Sequence, residues 1–150
     1  MKKVIVIIGS IPRDGIKPET VQEFNKAEGL LKAKGFYPVN PFSRNYIIPC
    51  LGIFSLTDNE QILDLSEVQY DILLSAIFCS LRLCDSVYLL DNYADDPIGY
   101  ALLAMAHALG RKIYRSDRFF SPYSDRNLTL SFDGRSRTYM AHRLPERCET

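Results

Sequence analysis

Val4-Ile5-Val6-Ile7-Ile8 is an unbroken run of β-branched residues between Lys2-Lys3 and Gly9-Ser10. A run with no polar alternation fits a strand buried on both faces, the central-strand pattern of a parallel sheet. Such a strand needs a layer of helix on each side, and its parallel neighbours need crossover connections. The run is also too short for a membrane span, which takes about 18–20 apolar residues. Gly9-Ser10-Ile11-Pro12 breaks it where a secretory signal would continue. A cytoplasmic protein with no membrane partner is expected.

The rest of the chain supplies the alternation. Pro18 marks a helix start, where its missing N–H costs nothing. Val21, Phe24, Ala27, Leu30 and Leu31 recur at helical spacing up to Lys34, and Gly35 provides the C-cap. Residues 36–39 form a short second strand weakened by Pro38, ending in the turn Asn40-Pro41. The stretch from Phe42 to Leu56 is apolar but aperiodic, which suits a lid, a pocket wall or a subunit contact. A helical region runs from Thr57 or Asp58 to Cys84, with a break near Ser66. From Val68 to Leu83 it is apolar on most faces, as in a buried or dimer-forming helix. Residues 86–90 form a third strand, Asp91 to Pro97 an acidic loop, Ile98 to Leu109 an apolar helix closed by Gly110, and Lys112 to Tyr114 a fourth strand. Residues 128–132, Asp133-Gly134 and 135–141 read as a hairpin. The expected fold is α/β, a flavodoxin-like or Rossmann-like three-layer sandwich on a parallel sheet of four or five strands. A C-terminal hairpin or arm follows. Residues 1–115 form the domain and 116–150 an extension.

Composition narrows the function classes. The chain has 150 residues, 47% apolar and 24% charged, with 18 Lys+Arg against 18 Asp+Glu. That is one domain's length, with material for a packed core. Zero net charge argues against a nucleic-acid polymer as partner. The four cysteines, Cys50, Cys79, Cys84 and Cys148, match neither zinc spacing nor a CxxC pair and read as structural. The two histidines, His107 and His142, stand far apart, so no metal site and no cofactor is implied. The two most apolar helices carry more surface than one small sheet covers, which points to a homo-oligomer.

In an open parallel sheet, ligands bind beyond the carboxyl ends of the strands. Those ends are Gly9-Ser10, Asn40-Pro41 and the acidic loop after Leu90. Gly9 admits a close ligand and Ser10 offers a hydroxyl; neither a GxGxxG nor a P-loop signature is present. Asp91, Asp95 and Asp96 crowd the third loop. One of them caps the following helix, bonds ribose hydroxyls or does acid–base work. An acid at that helix start opposes a phosphate there. Asp85 leads into the third strand and so starts at the opposite edge. No GxSxG elbow is present.

Taken together, several segments resemble a known family. They are Gly9-Ser10-Ile11-Pro12; Phe24-Asn25-Lys26-Ala27-Glu28 running through Leu30 to Phe36 into Val39-Asn40-Pro41; Cys84 to Leu90; Gly99; and Ala106 to Ile113. They are similar to the nucleoside 2-deoxyribosyltransferase-like superfamily over about residues 3–114, closest to the small DUF4406 proteins. The resemblance implies a flavodoxin-like fold and cleavage or exchange of an N-glycosidic bond. It also implies a nucleophilic Glu about four residues beyond a Gly in the helix after the third strand, forming a covalent sugar intermediate. Here that position holds Leu103 counted forward from Gly99, or Leu102 counted back from Leu109-Gly110. Asp96 and Pro97 stand where the family has a phosphate-binding Ser.

Three readings follow. The first is a catalytically degenerate family member that binds a nucleoside or nucleotide through Gly9, Ser10, Asn40, Asp85 and Gly99. The second is an active N-glycosidase or transferase using Asp95 or Asp96. The third is a non-enzymatic oligomeric scaffold.

Overall fold

The computed structural model describes residues 2–43, 65–115, 128–132, 135–139 and 142–145. Most of the apolar loop after Phe42, together with Cys50 and Cys148, lies outside the described residues.

The first strand, β1 (Val4–Ile8), is followed by helix α1 (Pro18–Ala33) and strand β2 (Tyr37–Val39). Helix α2 (Glu67–Leu83), strand β3 (Ser86–Leu89), a 3₁₀ turn (Asp91–Asp95), helix α3 (Pro97–Ala108) and strand β4 (Lys112–Arg115) come next. Strands β5 (Leu128–Phe132), β6 (Arg135–Tyr139) and β7 (His142–Arg143) follow. The main sheet has five strands in the order β2-β1-β3-β4-β7, and all its pairs are parallel.

The β-branched run behaves as its composition requires. Ile5, Val6, Ile7 and Ile8 have no solvent exposure. They lie between β2 and β3, with helices packed over the sheet. The right-handed crossover rule puts α1 on one face and α2 and α3 together on the other. The contact between α2 and α3 agrees with that. Val21, Phe24, Ala27 and Leu31 of α1 fill the core, as do Leu73, Ile77 and Leu81 of α2 and Leu102, Leu103 and Ala106 of α3. Gly35 takes φ +90° just past α1, the left-handed conformation that a helix C-cap requires.

Some local outcomes refine the expectations. The helix break near Ser66 is a true start: Ser66 accepts from the Gln69 N–H while the Gln69 side chain accepts from the Ser66 N–H. Cys84 is buried, and burial pushes its thiol pKa up. Cys79 is exposed, because position 79 falls on the outward side of α2. Pro38 sits on edge strand β2, where a missing donor breaks no inner ladder and discourages edge-to-edge pairing. The hairpin pairs Leu128 with Tyr139 and Phe132 with Arg135 as a separate two-stranded sheet. Beyond it, β7 adds a parallel edge beside β4, Leu144 is buried, and the Lys34 ammonium donates to the Pro145 carbonyl at 3.3 Å.

Candidate functional site

The strand order reverses between β1 and β3: the chain leaves β1 towards β2 and leaves β3 towards β4. A crevice at such a switch point is the usual ligand site of an open α/β sheet. Here the crevice has a volume of about 470 Å³ and is lined by Lys17, Glu19, Thr20, Glu23, Asn92 and Asp95. That volume lies within the roughly 300–1,000 Å³ of small-molecule sites. All six lining residues carry a polar group. Three carboxylates face one lysine.

Beside the crevice, side chains of the third loop reach back to the loop after β1. The Ser10 N–H donates to Asn92 Oδ1 at 3.0 Å. The Ile11 N–H donates to Asp96 Oδ1 at 3.1 Å, and the Ile98 N–H donates to Asp96 Oδ2 at 3.3 Å. Asp96 thus caps α3 and tethers the β1 loop at once. It occupies the amide cluster at the start of α3 that would otherwise attract an anion. Asp91 is also engaged, with Arg115 at 3.4 Å. Of the three acids in the loop, Asp95 is the one that lines the crevice.

The remaining expected residues sort by position. A Cβ on Gly9 would lie 2.8 Å from Asn92 Oδ1 and 2.8 Å from Leu90 Cδ1, so this glycine admits the closing loop itself. Ser10 is buried beside it. Gly99 lets α3 start directly against the Tyr93 carbonyl. Asn40 is buried, donating to Asn25 at 2.9 Å and Glu28 at 3.1 Å and accepting from the Phe42 N–H at 2.9 Å; it fixes the turn after β2. Asp85 stands at the opposite edge of the sheet, where it accepts from the Val4 N–H at 2.8 Å. It is not brought together with the others. Leu102 and Leu103 have no exposure. Among the described residues no group of three or more His, Cys, Asp or Glu is placed to hold a metal ion.

Residue-type reasoning passed over Asn92 and the first turns of α1. A signal for the latter existed: a helix following a central parallel strand begins at the carboxyl edge, so its first turns must border the crevice. It also passed over Tyr70 on α2, whose hydroxyl donates to the Ile11 carbonyl. The Arg13 guanidinium lies 4.5 Å over the Tyr70 ring and pairs with Asp71 at 2.9 Å. Burial, with Asp96 nearby as a lesser cause, pushes the Tyr70 hydroxyl pKa up to about 12. The folded value lies above the unfolded value of about 10, so this contribution to stability is whole below about pH 10 and is lost as pH rises towards 12. Alkaline unfolding followed by circular dichroism is expected to show this loss, and Tyr70→Phe to flatten it in that window. An unchanged alkaline profile in Tyr70→Phe would rule Tyr70 out as its source.

No protein-family model and no curated protein sequence matches the chain. Among the described residues no helix is long and apolar enough to cross a membrane. Among solved structures, a 2-deoxyribosyltransferase from the psychrotolerant bacterium Bacillus psychrosaccharolyticus is similar at a TM-score of 0.52. The likeness covers 81% of this chain and 80% of that one at 15% sequence identity. The chain therefore shares the Rossmann-like, flavodoxin-like α/β fold of a 2-deoxyribosyltransferase.

Proposed function

We propose that this chain binds a nucleoside in the crevice between α1 and the β3 loop, and that it does not form the covalent sugar intermediate implied by the family resemblance. The observation that carries the second half is the complete burial of both Leu102 and Leu103. Whichever count locates the family's nucleophile, the position belongs to the core and bears no nucleophilic atom. The first half is supported by the crevice lining. Glu19, Glu23 and Asp95 are acceptors for sugar hydroxyls, and Asn92 and Thr20 offer mixed donors and acceptors. A phosphate is disfavoured twice over. Asp96 already fills the amide cluster at α3, and the crevice acids would repel a second anion. The ligand class is therefore a nucleoside rather than a nucleotide.

A second reading keeps catalysis and assigns it to Asp95. It is favoured by one fact: Asp95 alone among the loop acids lines the crevice. A carboxylate at the end of a 3₁₀ turn is poorly fixed for attack, and a misplacement of about 1 Å can cost about 100-fold.

Kinship with the DUF4406 proteins and a cytoplasmic location belong to the same proposal, supported by the quoted segments and by the free thiols of Cys79 and Cys84. We also read residues 1–115 as the ligand-binding unit and 116–150 as an extension that completes its sheet edge through β7.

Calorimetric titration with deoxyribo- and ribonucleosides, beside chromatography for base release and exchange, tests these readings. Binding without turnover is expected, with the 5′-monophosphates at least about 10-fold weaker. Asp95→Asn and Glu23→Gln are each expected to weaken binding about 10-fold, the loss of one charge-assisted hydrogen bond. Turnover abolished by Asp95→Asn would establish the second reading. A chain that binds no nucleoside at millimolar concentration would sink both.

A further inference from the structure

A second cavity, of about 410 Å³, lies beside the edge strand β2. That volume too falls within the range of small-molecule sites. It shares no lining residue with the crevice. Its apolar lining includes Tyr37, Pro38 and Val39 of β2, and Tyr37 is 61% exposed. Its charged lining is Glu28 and Lys32, from the C-terminal half of α1, and Lys2, just before β1.

The charges here are unbalanced. Glu28 is engaged twice: Oε1 pairs with Lys32 Nζ at 3.4 Å, and Oε2 accepts from the Asn40 amide at 3.1 Å. Asn40 also donates to Asn25, so both of its amide hydrogens are committed. Among the described residues Lys2 has no carboxylate within ion-pair distance. The cavity therefore holds one ammonium without a counter-charge and a second that shares a carboxylate with an amide. In the crevice the balance has the opposite sign, with three carboxylates to one lysine.

The backbone of β2 narrows the occupant further. In a parallel pair, alternate residues turn their N–H and C=O to the same neighbour. The Tyr37 N–H donates to the Lys3 carbonyl at 2.8 Å, so Tyr37 and Val39 bond towards β1 and position 38 faces outward. Position 38 is proline and has no N–H. The Phe36 N–H is held by the Leu31 carbonyl at 3.0 Å. A strand added to this edge would find no donor over residues 36–38. A small molecule needs none.

We propose that this cavity binds a small organic anion. Its flat apolar body lies against Tyr37, Pro38 and Val39, and its one carboxylate or phosphate group is held by Lys2 and Lys32. An inorganic anion would gain nothing from the apolar residues, and a neutral apolar molecule nothing from the lysines. The two cavities thus sort ligands by charge. This site stands independently of the nucleoside reading.

Phenyl phosphate and benzoate are the probes, with inorganic phosphate and benzyl alcohol as the partial ligands, followed by amide NMR shifts of the full chain. Both probes are expected to bind with dissociation constants on the order of 1 mM, ordinary for molecules of this size. The Tyr37, Val39 and Ser43 amides are expected to move while those of Asn92 and Asp95 stay, which separates this site from the crevice. Each partial ligand is expected to bind at least about 10-fold more weakly. Lys2→Gln/Lys32→Gln is expected to weaken both probes about 10-fold, with an unchanged melting temperature. Tyr37→Ala is expected to weaken both probes and leave inorganic phosphate as it was. Whichever probe binds more tightly names the head group, and either order supports the site. No shift at Tyr37 and Val39 up to about 10 mM probe overturns the proposal. So does benzyl alcohol that binds as tightly as the anions, or probe binding that the lysine variant or Tyr37→Ala leaves unchanged.

Discussion

Gly99→Ala is expected to lower the melting temperature by about 10 °C, although it adds one methyl group to a helix. A Cβ built on Gly99 lies 1.9 Å from the Tyr93 carbonyl oxygen and 2.8 Å from its carbonyl carbon. Both are backbone atoms of the 3₁₀ turn, so no side chain can rotate away. The start of α3 must move off the turn, and that movement strains the bonds from Asp96 to Ile11 and Ile98. Overpacking costs about 1–3 kcal/mol, and a backbone neighbour puts this case at the upper end. About 3 kcal/mol corresponds to roughly 6–12 °C in a domain of this size. Gly29→Ala is the matched control. It lies inside α1 with nothing within 4 Å of its Cβ position. There alanine is expected to stabilise by about 0.5–1 kcal/mol through helix propensity and a less free unfolded chain. Scanning calorimetry of the two variants gives the comparison. Equal melting temperatures would show that α3 and the turn are not locked together as described.

Leu103→Glu is expected to cost at least about 3–5 kcal/mol, a large part of the roughly 5–15 kcal/mol that holds a domain of this kind together. The substitution restores the residue type that the family resemblance implies at this position. Leu103 has no exposure and packs within the core cluster. A carboxylate there either stays charged without a partner or takes up a proton, and both lower stability at neutral pH. Leu103→Met, which keeps the volume, is expected to cost less than about 1.5 kcal/mol. Urea unfolding at pH 7 distinguishes the two. A Leu103→Glu protein as stable as the parent, and able to release base from a deoxynucleoside, would show that the position still opens onto the site and would defeat the nucleophile-free reading. The same substitution at Leu102, equally buried, covers the alternative count.

Residue patterns suffice where the chemistry is local. The unbroken β-branched run specified a central strand because only burial on both faces removes five such side chains from water. The Pro18 start, the Ser66 cap and the glycines after α1 and α3 are local chemistry, and local chemistry is readable from a single chain. That the sheet is parallel also follows from the alternation of strands and helices, whereas the order β2-β1-β3-β4-β7 is set by the tertiary structure. The edge strand after the hairpin, β7, was less legible. His142-Arg143 is too short to carry a period, and only pairing with β4 makes it a strand.

The candidate site divides in the same way. Its location at the carboxyl edge follows from parallel topology. The roles of the acids there do not follow from composition. Asp91, Asp95 and Asp96 are alike in sequence, yet Arg115 takes the first, two backbone N–H groups take the third, and the second lines the crevice. Each difference is set by where β1, β4 and α1 come to rest. Asp85 and Asn40 likewise owe their structural duties to neighbours distant in the chain.

The sequence by itself determined the main helices and the strands β1 to β4, their α/β layering and the edge at which a ligand would sit, because propensity, capping and hydrophobic period act over a few residues. Only the tertiary structure decided which polar groups are engaged in holding loops and which remain for a ligand. Hydrogen bonds such as Ser10 to Asn92 and Ile11 to Asp96 join residues more than eighty positions apart. They exist only once the sheet has brought β1 and β3 side by side.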